Sequence, residues 1–399
     1  MRRCSRKIGL TLHMLQLPVY MDYHATTPCD PRVLEAMLPY FSRQFGNAAS
    51  KGHLFGWQAA EAVQIAREQI AGLIHADPSE IIFTSGATES INLALKGVYE
   101  LMAVKGKHII TVSTEHRAVL DTCYHLEKQG AEITYLPVGP DGLIDLEILK
   151  SAIRPDTILI SVMWANNETG VIQPLQTIAE IAKQHKILFF TDATQALGKI
   201  PINVTEDGID LLAGSAHKLY GPKGVGILYV RRKNPRVRLS AQLDGGGQER
   251  GMRSGTLNVP GIVGFGKAAG LAAEEMIRDM ETIGRLRDKL EKSLLLIEGA
   301  CLNGHWGLRL ATVTNISFQD SAGKRLLEAL LKDIAISSGS ACSSASPEPS
   351  HVLKAMGLDD SLAYHAIRFS LGKYNKEEEI DFVIEKVGRT LKETTCLQD

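Results

Sequence analysis

Short apolar runs alternate with stretches of helical periodicity along most of residues 57–230. Residues 81–84 begin with consecutive apolar positions, as in a strand buried on both faces, and residues 57–74 repeat apolar side chains at helical spacing. This order predicts an α/β fold whose mostly parallel sheet carries helices on both faces. The predicted strands are 81–84, 108–112, 133–136, 157–163, 187–191, 210–213 and 225–230, and the predicted helices include 57–74, 90–102 and 173–185.

The pattern changes after the glycine-rich residues 244–251. Asn375 followed by Glu378 has the spacing of a capping box and predicts the start of a last helix. The other elements predicted in this half are a long or broken helix at 263–297, strands at 315–318 and 367–371, and a helix at 324–332. We expect three parts: an N-terminal extension (1–17), a large domain (18–258) and a smaller α+β domain (259–399).

Composition narrows the class of protein. Of the 399 residues, 44% are hydrophobic and 22% are charged, and the net charge is −1. These values are ordinary for a globular protein and give no electrostatic reason to expect binding to nucleic acid or to an anionic membrane. The six cysteines include no CxxC pair, so neither a zinc site nor a disulfide framework is expected, and a reducing compartment is favoured.

The first 17 residues differ from the rest, since Arg2, Arg3, Arg6 and Lys7 occur there without an acidic residue. A basic start is compatible with the remnant of an organelle transit peptide, and the alternative is a chain that starts at Met14. We expect a cytoplasmic protein, with an organelle matrix as the alternative location.

The first candidate ligand site follows strand 81–84, which runs through Ser85, Gly86, Ala87 and Thr88 into a helix. Small residues at a helix N-terminus leave backbone N–H groups open to a phosphate, and the helix dipole favours its negative charge. The alternative is ordinary helix capping, which prefers the same residue types.

An aspartate and a lysine follow two successive predicted strands. Asp192 suits the binding of a protonated pyridine nitrogen, and Lys218 suits the binding of an aldehyde cofactor as a Schiff base. The alternatives are a helix N-cap for Asp192 and Lys223 in the lysine role, although the Gly-Pro-Lys-Gly setting of Lys223 is typical of a turn.

Further polar residues follow other strands at the same edge of the sheet. His116 suits ring stacking and proton transfer near neutral pH, and Asn166 and Asn167 follow strand 157–163. Ligands collect beyond the carboxyl ends of parallel strands, so this edge is the expected site. The alternative for His116 is a helix-start histidine without a chemical role.

Cys342 and Arg368 are the candidates in the second half. Cys342 lies among Ser, Gly and Ala residues, where little apolar packing is available, and therefore suits a thiol nucleophile better than a core position. Arg368 lies within an apolar strand and suits bidentate binding of a substrate carboxylate, with a structural ion pair as the alternative.

Five stretches together resemble the cysteine desulfurases, specifically the housekeeping type that serves iron–sulfur cluster assembly. The resemblance extends over about residues 20–387, and its stretches are 22–28, 83–90, 215–224, 249–256 and 337–344. It implies a homodimeric fold-type I pyridoxal phosphate enzyme that converts L-cysteine to L-alanine. The sulfur would pass to an enzyme cysteine as a persulfide, and then to an iron–sulfur scaffold protein or another sulfur carrier.

The resemblance also implies roles for individual residues, and no metal ligand. Cys342 would attack the substrate sulfur, while Arg368 and Asn167 would bind the substrate. Lys218 would bind the cofactor covalently, and Asp192 would bind its pyridine nitrogen. His116 would stack on the cofactor ring, and Gln195 and Asn167 would lie near its phenolic oxygen. The phosphate would be held by Ala87, Thr88, Ser215 and His217, together with the partner subunit's Thr256.

Two departures from the family pattern stand out. The sequence ends soon after the last predicted helix, whereas longer members carry a tail that docks the scaffold protein, so the sulfur acceptor is open. Ser343 replaces a threonine found in many relatives. The sequence leaves two alternative functions: a lyase or aminotransferase on the same fold, which Cys342 argues against, and an inactive scaffold or sulfur carrier, which Lys218 and Asp192 argue against.

Overall fold

The computed structural model describes residues 15–319, 322–338 and 349–395. In these ranges the strands are β1 (Val19–Tyr20), β2 (Ile81–Thr84), β3 (His108–Val112), β4 (Glu132–Leu136), β5 (Thr157–Ser161), β6 (Leu188–Asp192), β7 (Leu211–Ser215), β8 (Gly226–Val230), β9 (Ala300–Leu302), β10 (Val313–Phe318), β11 (Ile334–Ala335), β12 (Ser337–Ser338) and β13 (Ala366–Ser370). The helices are α1 (Pro31–Met37), α2 (Pro39–Ser42), α3 (Leu54–Leu73), α4 (Ala87–Met102), α5 (Arg117–Glu127), α6 (Leu146–Ala152), α7 (Leu175–Gln184), α8 (Val259–Leu294), α9 (Ala322–Leu330), α10 (His351–Ala355), α11 (Asp360–Tyr364) and α12 (Glu377–Thr395).

The large sheet has the strand order β2-β8-β7-β6-β5-β3-β4. Strands β3 to β7 run parallel, and β8 runs antiparallel to both of its neighbours. Both faces of the large sheet are buried. In β2, Ile81 and Phe83 pack into one apolar layer, and Ile82 between them packs into the other. The predicted α/β fold with a mostly parallel, doubly covered sheet is therefore confirmed.

A smaller antiparallel sheet, β12-β13-β10-β9, lies in the second half of the chain. Its core includes Ile316 and Phe369, and Met21 from the beginning of the chain packs into the same cluster. Helix α8 contributes Phe265 to the core of the large sheet and Leu290 to that of the small one. The domain boundary predicted before residue 259 coincides with the start of this shared helix and stays a prediction.

The cap of the last helix differs from the predicted pair of Asn375 and Glu378. The Asn375 side chain accepts from the Gly372 N–H at 2.9 Å, and it is Glu379 that accepts from the Lys376 N–H at 2.9 Å. Helix α12 begins at Glu377, so the capping contact involves Glu379 in place of the predicted Glu378. Within the described residues, none of the helices combines the length and the apolar character that crossing a bilayer requires.

Candidate active site

A cavity of about 570 Å³ lies beyond the carboxyl ends of β3, β5, β6 and β7. Among the described candidates, Asn166 and Thr256 are not in its lining, and Thr256 is exposed on the surface. Cys342 lies outside the described residues. The predicted residues that the structure brings together in its lining are Ala87, Thr88, His116, Asn167, Asp192, Gln195, Ser215, His217, Lys218 and Arg368.

Lys218 reaches the cavity from a short 3₁₀ helix that directly follows β7. Its Nζ donates to the carbonyl oxygen of Ala25 at 2.7 Å and also to that of His24. The chain around these carbonyls is fixed to the same turn, because the N–H and the hydroxyl of Thr27 both donate to the His217 carbonyl at 2.9 Å. Lys223, the rival lysine, lines the cavity as well.

Asp192 is buried at the end of β6, and its Oδ1 accepts from the Thr194 N–H at 2.9 Å. No α-helix begins there, so the N-cap alternative fails. The hydroxyl of Thr194, in the same cavity wall, is buried and has no hydrogen-bond partner among the described residues. A carboxylate and an unpartnered hydroxyl therefore lie where a polar ligand would bind.

His116 is both the N-cap of α5 and part of the cavity wall. Its Nδ1 accepts from the Ala118 N–H at 3.1 Å, so in the neutral ring the proton is on Nε2. The helix-start alternative is therefore present, and the predicted chemical role of His116 stays a prediction. Capping fixes the ring and leaves Nε2 as the nitrogen that could exchange a proton.

The predicted phosphate cradle forms where β2 meets α4. Gly86 caps this helix without a side-chain hydrogen bond, so the first N–H groups of the helix are open to a ligand. A Cβ at Gly226 of β8 would lie 2.6 Å from the Cα of Gly86, so only glycine at 226 permits this turn. Burial and the charges of Lys218 and Lys223 lower the pKa of His217 to about 4, which keeps its ring neutral.

Arg368 forms an ion pair with a partner that the sequence alone did not identify. Its Nη2 donates to Asp22 Oδ1 at 2.7 Å and its Nη1 to the Asn167 carbonyl at 3.0 Å, while its Nε is buried without a partner among the described residues. The structural ion pair, named as the alternative, is therefore present. Asp22 belongs to the stretch 22–28 that carried the resemblance, which was the only signal for it.

Two further residues were missed from the sequence: His24 in this wall and Lys199 in the small cavity behind it. His24 is buried, its Nδ1 donates to the Asn167 carbonyl at 3.0 Å, and burial with the charges of Lys199 and Arg368 lowers its pKa well below the usual value. Lys199 donates to Gln195 Oε1 at 2.6 Å. Its sequence signal was weak: a lysine after Ala196-Leu197-Gly198 is also typical of a surface turn.

The site fits pyridoxal phosphate part by part. Open N–H groups at α4, with Ser215 and His217, suit the phosphate, Asp192 suits the pyridine nitrogen, and Lys218 suits the aldehyde. The partnerless Thr194 hydroxyl and the close approach enforced by Gly226 are independent signs of a polar ligand. Fold and site together define a fold-type I pyridoxal phosphate enzyme.

Comparison with known proteins gives the family. The chain belongs to the class-V aminotransferases, whose family model matches residues 19–383. It is 56% identical over 380 residues to the cysteine desulfurase IscS of Mannheimia succiniciproducens, covering 95% of this chain and 94% of that protein. The predicted family and class, pyridoxal phosphate-dependent cysteine desulfurases, are confirmed.

Solved structures agree with this assignment. A NifS-like protein superposes with a TM-score of 0.88 at 40% identity, over 94% of this chain and all of that one. A structure described as SspA in complex with cysteine superposes with a TM-score of 0.80 at 40% identity, over 90% of this chain and all of that one. The geometry of the cavity is thus built on a fold that these proteins share.

Proposed function

We propose that this protein removes the sulfur of L-cysteine and holds it as a persulfide on Cys342, releasing L-alanine. The observation that carries the proposal is the convergence of Lys218, Asp192, His116 and Arg368 on one cavity. A lone amine or carboxylate would have an ordinary structural explanation. An amine, an acid, an imidazole and a guanidinium around a phosphate cradle match the parts of one cofactor and one amino-acid substrate.

The cofactor, when bound, supplies an electron sink that weakens bonds of the substrate amino acid. The side chains of the protein set its position and move protons. The Asp192 carboxylate would hold the pyridine N–H, and the carbonyls of His24 and Ala25 hold the Lys218 amine at the cavity. His116, with Nδ1 occupied by the Ala118 N–H, exchanges a proton only at Nε2.

Substrate binding falls to Arg368 and Asn167. Arg368 lines the cavity, and its Nη1 donates to the Asn167 carbonyl. Its Nε is buried and has no partner among the described residues. A carboxylate there would gain charge-assisted hydrogen bonds and would share the guanidinium with Asp22. L-cysteine meets this requirement as an α-amino acid.

Ser337, which precedes the segment that carries Cys342, lines the cavity. After the segment, His351 Nε2 donates to the carbonyl of Glu115 at 2.9 Å, and Glu115 is the neighbour of His116 in the cavity wall. The few residues between Ser337 and Cys342 would allow the thiol to meet a substrate bound there. Its thiolate would attack the substrate sulfur, and the electron pair of the broken carbon–sulfur bond would stay on the carbon that becomes the methyl group of alanine.

We further propose a homodimer and delivery of the persulfide sulfur to an iron–sulfur scaffold protein or a sulfur carrier in the cytoplasm. Thr256 is exposed and is not in the lining of the cavity of its own chain, which supports a role in the partner subunit's site. The high identity to a protein named cysteine desulfurase supports the release of sulfur that an acceptor would take up.

The decisive experiment uses the purified protein with L-cysteine and a reductant. We expect a yellow protein that forms alanine and sulfide in equal amounts. Cys342→Ser should keep the colour and lose sulfide formation, whereas Lys218→Ala should lose the visible absorbance. Two matched controls lie in the same chain: Cys301→Ser, at an exposed cysteine, should keep full activity, and Lys223→Ala should keep the visible band. Full activity of Cys342→Ser would refute the persulfide route.

A further inference from the structure

Lys199 is a lysine with an unusual setting behind the cofactor cavity. Its Nζ donates to Gln195 Oε1 at 2.6 Å, which fixes the amide so that Gln195 Nε2 donates to the His24 carbonyl at 2.9 Å. That same carbonyl accepts from Lys218. A single hydrogen-bonded chain thus runs from Lys199 through Gln195 and the His24 carbonyl to Lys218.

Lys199 and Lys218 also line the same small cavity, which lies next to the large one. Its volume of about 30 Å³ is large enough for a water molecule. Lys199 makes no ion pair with any carboxylate of the described residues. Burial and the charges of Lys218 and Arg368 lower its pKa well below the usual value. The other charged or titratable groups around the two cavities are His24, His116, His217, Asp22, Glu89, Asp192, Asp30, Glu275, Asp279, Lys223, Lys373, Tyr23 and Tyr220.

Two neighbouring amines in a site of low polarity do not readily hold two protons, so they titrate as a coupled pair. The amine that reacts with an aldehyde is the neutral one. A proton on Lys199 repels a proton on Lys218, so a second amine that takes part of the shared proton increases the fraction of Lys218 that is neutral.

We propose that Lys199 is a positioning residue of the cofactor site, which holds Gln195 in the orientation that donates its amide N–H and keeps Lys218 from retaining a proton. The inference rests on the role of Lys218 proposed above. Lys199 needs no carboxylate partner to hold Gln195, because its amine donates the hydrogen bond to Gln195 in either protonation state.

The test is a pH titration of the visible absorption of the intact, cofactor-loaded protein. Replacing Lys199 by Met removes the coupling, so the midpoint should rise by about one pH unit, a tenfold change in proton affinity. Lys199→Arg keeps a cation and a donor and should not raise the midpoint. The matched control is Lys373→Met, which faces the same small cavity but is paired with Asp30 at 2.6 Å, and its midpoint should be unchanged.

A second measurement applies if the visible absorption of the cofactor-loaded protein does not change with pH. The rate at which the cofactor-depleted full chain takes up pyridoxal phosphate should reach half of its maximum at a higher pH in Lys199→Met than in the wild type. Wild-type values in Lys199→Met for both measurements, with or without a lower melting temperature, would overturn the proposal. A visible band retained by Lys218→Ala would instead refute the assignment of Lys218, so the two failures are distinguishable.

Discussion

Burial sets the charge of the side chains behind the cavity. Burial raises the pKa of Glu115 well above its usual value and lowers that of His24 well below it, so burial favours the neutral form of both residues. The Glu115 Oε1 accepts from the Met163 N–H at 2.5 Å, whereas its Oε2 has no partner among the described residues. The wall therefore supplies shape and hydrogen bonds, and fewer charges than the sequence suggests.

Glu168 gives a prediction about stability and pH. Burial raises its pKa to about 7, although the Ser350 hydroxyl donates to its Oε2 at 2.5 Å. The folded protein thus holds this proton up to about pH 7, whereas the unfolded chain releases it near the ordinary value of about 4.3. The stabilisation is complete below the unfolded pKa and is lost as the pH rises through the folded one. Relative to Glu168→Gln, the wild type should lose about 3 kcal/mol of unfolding free energy between about pH 4 and pH 8.

Urea unfolding of both proteins at a series of pH values measures this difference. The control is Glu147→Gln, at a side chain that is 79% exposed, where the difference from wild type should stay within about 0.5 kcal/mol at every pH. A Glu168→Gln curve that runs parallel to the wild-type curve would show that Glu168 does not titrate in this range.

The glycine-rich turn after β8 depends on one buried ion pair between elements. Glu249 and Arg250 adopt the left-handed backbone conformation, with φ of 45° and 58°. The Glu249 carboxylate binds Arg67 of α3 at 2.7 Å and accepts from the Phe83 N–H of β2 at 2.7 Å. One side chain thus joins a helix, the strand that leads to the phosphate cradle, and the turn that leads to Thr256.

Arg67→Met should cost about 3–5 kcal/mol of unfolding free energy, because it leaves the Glu249 carboxylate buried without its cation. Adding Glu249→Gln should recover part of this loss, since the amide oxygen still accepts from Phe83 without a charge. Arg154→Met, in a pair that is 41% and 59% exposed, should leave the unfolding free energy nearly unchanged. Chemical unfolding of the four proteins decides, and a double variant no more stable than Arg67→Met would contradict the argument.

These contacts show where sequence reasoning reaches its limit. The predicted bounds of β2 and β3 agree with the structure, because short runs of that length that are rich in β-branched and aromatic residues favour buried strands. The antiparallel direction of β8 has no such local signal. Likewise, Arg67 pairs with Glu249 and Arg368 with Asp22 across long stretches of sequence, and only the fold brings these charges together. The cavity was predictable because strand ends gather its residues; the ion pairs behind it were not.

At the scale of the whole molecule, the structure leaves an aromatic surface uncovered. Phe41, Phe45 and Trp57 are 62%, 65% and 57% exposed, and the Phe45 ring lies 5.3 Å from that of Phe55. Clusters of this kind on a protein surface commonly mark an interface. Helices α2 and α3 of this region pack on α8, the helix that Thr256 directly precedes. The aromatic surface and Thr256, the residue proposed to bind the phosphate of the partner subunit's site, therefore belong to one structural unit.

Phe45→Asp should weaken the proposed homodimer by about 30-fold or more, the effect of losing about 2 kcal/mol at an aromatic contact in an interface centre. Because the partner subunit's Thr256 would then be missing from each site, cofactor retention should fall with the dimer fraction. Sedimentation velocity combined with visible absorbance measures both quantities on one sample. Trp306→Asp is the control, since this residue is 68% exposed in a different part of the chain and should leave both unchanged. A Phe45→Asp protein that is monomeric yet retains its cofactor as tightly as the wild type would show that each chain completes its own phosphate site, and would remove Thr256 from the proposed mechanism.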